Sequence, residues 1–143
     1  MMAVRLKMGF NVEELLQAEK LKDVKVISGE RWLDWEIKGV TIIEAPDIVK
    51  FIDGGEVLLT RLYAFRSCTV DEFKGYLNEL TRKGVSALVL KRDRKVEDAD
   101  TKIGLLLEFS ETHAIPILEV PFEFFFRDIM SVIMERLFNE EVT

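Results

Sequence analysis

The side chains able to do chemistry gather where apolar runs end. Glu44 and Asp47 straddle Pro46, just after the β-branched run Thr41-Ile42-Ile43. Either carboxylate could accept a hydrogen bond from a ligand hydroxyl or ring N–H. Asp47 equally fits a cap for the helical turn from Ile48 to Ile52, and Glu44 a solvated surface. Thr60 and Arg61 close a second apolar run, and Arg61 could clamp a carboxylate or phosphate in bidentate fashion or pair with a surface acid. Lys91 and Arg92 end a third run, Ala87 to Leu90, and Glu119 sits inside a fourth, Ile117 to Val120. In open α/β sheets, ligands collect outside the carboxyl ends of strands. Glu44, Asp47, Thr60, Arg61 and Lys91 therefore form the candidate ligand set. Gly54-Gly55 could form a pocket rim with the Glu44 corner and turn backbone amides toward an anion, but no G-x-G-x-x-G or G-K-[ST] accompanies it. A helix stop followed by a strand start explains the pair as well.

Catalytic constellations are missing. Cys68 and His113 are single, and they fall at a helix entry and a helix exit. One residue of each kind cannot build a Cys/His metal centre, and no loop has the carboxylate spacing of a Mg²⁺ or Ca²⁺ site. No catalytic residue, metal or cofactor is expected. The competing enzymatic reading is acid/base catalysis by Glu44 and Asp47, or by Glu119, which requires a carboxylate in a water-poor site. Trp32 and Trp35 flank Leu33-Asp34, either as a stacking platform for a planar base or as the packing of a hairpin. In Phe122-Glu123-Phe124-Phe125-Phe126, Phe122 and Phe126 fit a core, which leaves Phe124 and Phe125 for a partner surface. A homo-dimer is the concrete form of that expectation.

A net charge of −6, with basic residues dispersed, argues against direct nucleic-acid binding. The densest basic cluster, Lys91-Arg92-Asp93-Arg94-Lys95, carries its own acid. No run approaches the ~20 apolar residues of a membrane span, and MMAVRLKMGF has no apolar signal region. With one cysteine no internal disulfide forms, so a reducing, cytoplasmic location is expected.

The elements that must position these residues read as a single α/β domain. Asn11 and Glu14 form a capping box with Phe10 as a staple against Leu15, opening a short helix that ends near Leu21. Val24 to Ile27 and Trp35 to Ile43 read as two strands of an N-terminal β-hairpin around a broad turn. Thr69 and Glu72 repeat the capping-box pattern, Phe73, Leu77 and Leu80 mark an inward face, and Gly84 stops the helix. A helix over 100–112, with Ile103, Leu106 and Leu107 inward, precedes the strand Ile117 to Val120. A last helix over 123–138 turns Phe126, Ile129, Met130, Ile133 and Leu137 inward. Continuous apolar strands alternating with helices predict a mainly parallel sheet covered on both faces.

Glu44-Ala45-Pro46-Asp47, Phe51-Ile52 and Gly54-Gly55-Glu56-Val57-Leu58-Leu59-Thr60 resemble the N-terminal domain of PucR-type purine-catabolism regulators. The likeness continues through Lys83 to Lys91 and Ile115 to Pro121, and spans about residues 8–137. The resemblance implies a fold like the N-terminal modules of Mur ligases. It also implies a front domain that senses or relays a metabolite signal to a distant helix-turn-helix, with no DNA-binding region in this chain. The expectation is a non-catalytic sensor, stand-alone or part of a longer regulator, with a small-molecule effector or a partner domain. Arg61-Leu62 stand where the family usually has Thr or Ser and then Gly, which sets a bulky cation where backbone would approach a ligand.

Overall fold

The computed structural model describes residues 9–46, 50, 52–92 and 96–142. Five strands form one sheet: β1 (Lys25–Ser28), β2 (Gly39–Ile43), β3 (Glu56–Arg61), β4 (Ala87–Lys91) and β5 (Ile117–Val120). They lie in the order β1-β5-β4-β3-β2, with β2 to β5 parallel and β1 antiparallel to β5. The principal helices are α1 (Val12–Leu15), α2 (Val70–Lys83), α3 (Ala99–His113) and α4 (Phe126–Val142).

Alternation along the strands divides the core into two layers. Leu58, Leu88, Leu90 and Ile117 face α2 and α3, which present Phe73, Leu77, Leu80, Leu106 and Phe109. Val57, Leu59, Val89, Leu118 and Val120 face the opposite layer, where Phe10, Val12, Leu15, Ile129 and Ile133 pack. β2 to β5 follow one another in both sequence and space. Right-handed crossovers then put α2 and α3 on the same side, and α4 returns across the other side onto β2. β4 is buried at every residue, as expected for an apolar run with strands on both sides and helices on both faces.

Local signals fix the helix ends. The Asn11/Glu14 and Thr69/Glu72 capping boxes both form, and Gly84 closes α2 in the left-handed conformation at φ +72°. The α1 helix is a single turn, and a short 3₁₀ segment (Glu19–Leu21) follows it.

The N-terminal hairpin does not form. β1 and β2 occupy opposite edges of the sheet, β1 beside β5 and β2 beside β3. The backbone of residues 33–37 bonds instead to the start of the chain, with Glu13 N donating to Leu33 O at 2.9 Å and Ile37 N to Phe10 O at 2.6 Å. Gly29, at φ +78°, lies so close to Pro116 that an added Cβ would stand 2.7 Å from its Cα. The turn after β1 is thereby pinned against β5.

Candidate functional site

Parallel strands send their carboxyl ends to one edge, and the register sets what meets there. Ile43 pairs with Thr60, Arg61 with Lys91, and Lys91 with Val120. Glu44, Arg61 and Lys91 therefore reach the same edge from three adjacent strands, while Asp47 lies outside the described residues. The faces differ, however. Thr60 shares the side of Leu58, toward α2, whereas Lys91 contacts Phe124 and Phe126 in the α4 layer. Arg61 is the register partner of Lys91 and shares its side.

Each candidate has a definite environment. Thr60 is buried, and its hydroxyl lies 3.3 Å from Ile43 O and 3.2 Å from Arg61 O. The narrow apolar cavity against Thr60, of about 10 Å³, is walled by Leu62, Phe65, Phe73 and Leu90 and could hold at most one water. Lys91 is only 8% exposed. Its ammonium donates to the carbonyl of Phe124 and stands 4.8 Å from the centroid of the Phe126 ring. Glu44 and Arg61 are exposed. Arg92 and Glu119 form an ion pair at 2.6 Å.

The diglycine loop belongs to the other end of the sheet. Gly55 precedes β3, and its N–H donates to Gly84 O at 2.9 Å while its carbonyl accepts from Lys38 N at 2.7 Å. In a parallel pair, the start of β3 and the end of β2 are separated by the strand's length, ~16 Å for five residues. Gly54-Gly55 and the Glu44 corner thus cannot rim one pocket. The Trp pair is also remote from the strand tips. Trp35 Nε1 donates to Ala114 O at 2.7 Å, at the exit of α3, where β5 begins. β1 and β2 lie on opposite edges, so they make no hairpin for either Trp to pack within.

Cys68 and His113 do not assemble. Cys68 precedes α2 at the carboxyl edge, and His113 closes α3 at the opposite edge, its ring 4.9 Å from that of Phe109. Burial pushes the Cys68 thiol pKa up, the Glu72 carboxylate adds to the rise, and Lys102 opposes it. Lys102 was not visible as a special residue in the sequence. It is 1% exposed on the inward row of α3 and donates to Phe65 O at 3.0 Å. A lysine four residues before Leu106 reads as a surface residue until the depth of the helix is known. Among the described residues, no group of three His, Cys, Asp or Glu could hold a metal, and no helix is long and apolar enough to cross a membrane.

The aromatic run resolves differently from its expected split. Phe124 is half-buried and packs with Phe126 on the α4 layer, whereas Phe122 and Phe125 are both 58% exposed. Arg127 stacks over Phe125 at 4.6 Å. A surface groove of about 280 Å³ runs between α2 and α3, lined in part by Lys74, Asn78, Glu108 and His113, away from the strand tips.

The model of the purine catabolism regulatory protein-like family matches residues 14–137. The chain is 23% identical over 129 residues to the purine catabolism regulatory protein of Bacillus subtilis (strain 168), covering 90% of this chain and 24% of that relative. It therefore spans about a quarter of that protein's length. A solved structure of the CBS and DRTGG domains of the regulatory region of a Clostridium perfringens pyrophosphatase, complexed with diadenosine tetraphosphate, is 15% identical. That match covers 83% of this chain and 44% of the other, with a TM-score of 0.49.

Proposed function

The chain belongs to the purine catabolism regulatory protein-like family, and from that premise we propose that it is a non-catalytic regulatory domain binding a small anionic effector at the carboxyl edge of its sheet. The observation that carries this reading is the pairing of Arg61 with Lys91 on adjacent strands, both toward the α4 side. Two cations at neighbouring strand ends suit a carboxylate or an acidic heterocycle. Glu44, exposed after β2, would accept from a ring N–H of the same ligand. Thr60 supports the edge from the opposite side through its contacts with the Ile43 and Arg61 carbonyls.

Transmission runs through Lys91. Its ammonium holds the carbonyl of Phe124, two residues before α4 begins. An anion drawing on Lys91 competes with that carbonyl, so the bound state favours a different placement of the β5–α4 loop. This is a population shift between two arrangements of one loop.

A second reading, a partner domain docking on the edge, is favoured by the exposure of Phe122 and Phe125. Acid/base catalysis gains no such support: Glu44 is open to water and Glu119 is ion-paired with Arg92. Calorimetric titration with urate and allantoate, each to about 1 mM, tests the effector reading. Heat that disappears in Arg61→Ala is expected. No heat with either anion sinks the effector reading and leaves the partner one, which a Phe125→Asp variant then tests by loss of partner-domain binding in a pull-down.

A further inference from the structure

The two edges of the sheet are built differently. β1 carries an exposed lysine, Lys25, and a register break between Val26 and Ser28. Both are devices that keep an edge from pairing with another strand. β2 has neither. Gly39-Val40-Thr41-Ile42-Ile43 is regular, uncharged and mostly β-branched, and it pairs with β3 without a break over all five residues. Its other side has no strand partner among the described residues.

The charges sit at its two ends. Lys38 precedes β2 and Glu44 follows it, and both are exposed. Six residues of extended chain separate them by ~20 Å, so they cannot meet within one molecule. Neither takes part in an ion pair among the described residues. The segment is complementary to its own antiparallel copy. With Thr41 opposite Thr41, Val40 faces Ile42, Gly39 faces Ile43, and Lys38 faces Glu44 at both ends.

We infer that β2 is a docking edge for a second copy of this chain, the two β2 strands pairing antiparallel about a two-fold axis at Thr41 to give a continuous ten-stranded sheet. Such an interface is isologous and closes on itself. The outward N–H and C=O groups of β2 supply its hydrogen bonds, and the two Lys38–Glu44 contacts set its register. A one-residue slip would remove both ion pairs and turn the side chains to the wrong face. This inference does not depend on an effector, although it puts Glu44 beside the two-fold interface.

Sedimentation of the full chain at concentrations up to about 0.1 mM reads the outcome. The wild type is expected to be dimeric. Lys38→Glu alone or Glu44→Lys alone sets like charges against each other twice and weakens the dimer by about tenfold. The double exchange restores it to within about threefold. In a Cys68→Ser background, Thr41→Cys should form a disulfide-linked dimer under mild oxidation, because opposed Cβ atoms in an antiparallel pair stand ~5 Å apart. A monomeric wild type overturns the inference. So does a dimer indifferent to both single reversals, a double exchange that fails to restore it, or a dimer abolished instead by Phe125→Asp.

Discussion

Lys91 and Phe124 are joined across the sheet edge: the ammonium of one donates to the main-chain carbonyl of the other, 33 residues later. Lys91 ends the central strand and Phe124 precedes α4, so one hydrogen bond ties the strand tips to the last helix. Lys91→Met keeps the stem and removes the donor. A charge-assisted bond of this kind contributes roughly 1.5–3 kcal/mol, so urea denaturation should show a loss of about 2 kcal/mol. Hydrogen exchange should accelerate over residues 122–130, at the start of α4. Unchanged exchange there would remove Lys91 from the relay.

Lys102 lies deeper than Lys91, a charge inside the α2–α3 layer whose partner is the carbonyl of Phe65. Burying an ammonium carries a desolvation cost that well-packed apolar replacements often avoid. Lys102→Met is therefore expected to lie within about 1 kcal/mol of the wild type, on either side. Lys102→Ala leaves a hole and should cost about 2 kcal/mol or more. Equal, large losses in both variants would mean that the charge itself holds the layer together.

Cys68 gives a prediction in pH. Burial, then Glu72, raise its thiol pKa, so alkylation by iodoacetamide near neutral pH should be slower in the folded chain than in urea. Glu72→Gln retains a capping side chain while removing the charge that adds to the rise, and alkylation should quicken at fixed pH. The sign for stability follows from linkage. A folded pKa above the unfolded one gives a contribution that is whole below the ordinary thiol pKa of ~8.5 and lost as pH rises through the folded value. The urea midpoint should therefore decline above about pH 8.5, and Cys68→Ala should lack that component.

Two glycines in the left-handed region separate conformational strain from steric contact. Gly84, at φ +72°, has nothing within 4 Å of an added Cβ, whereas Gly29, at φ +78°, would meet the Pro116 backbone at 2.7 Å. Gly84→Ala is expected to cost about 1 kcal/mol from backbone conformation alone. Gly29→Ala must also displace Pro116 and should cost clearly more in the same denaturation assay. Equal costs would show that the Gly29–Pro116 approach relaxes freely.

What was legible in the chain depended on whether the signal was local. Ile117–Val120 and the apolar runs ending at Thr60 and Leu90 were readable as buried strands, because three or four mostly branched apolar residues bounded by glycines, prolines or charged residues fit a short buried strand. The Thr69/Glu72 box marked the start of α2, and Gly84 its end. Strand partners were not readable. Val24 to Ile27 and the run ending at Ile43 look like a hairpin, and only the bonds from residues 10–13 to residues 33–37, with Gly29 against Pro116, show why the chain separates them. The candidate site was legible as an edge but not as a surface. Alternation sends Thr60 and Lys91 to opposite faces, a one-residue distinction that needs the register of three strands. The burial of Lys102 had one weak signal, its place four residues before the inward Leu106, which the ordinary preference of lysine for water outweighs in a reading of the sequence.

Amide NMR of the labelled chain titrated with urate tests the strand-tip claim most directly. The account predicts shifts concentrated at Glu44-Ala45, Thr60 to Leu62, Lys91-Arg92 and residues 122–126, and their loss in Arg61→Ala. Shifts confined to the α2–α3 groove around Lys74, Glu108 and His113, with the strand tips silent, would contradict it.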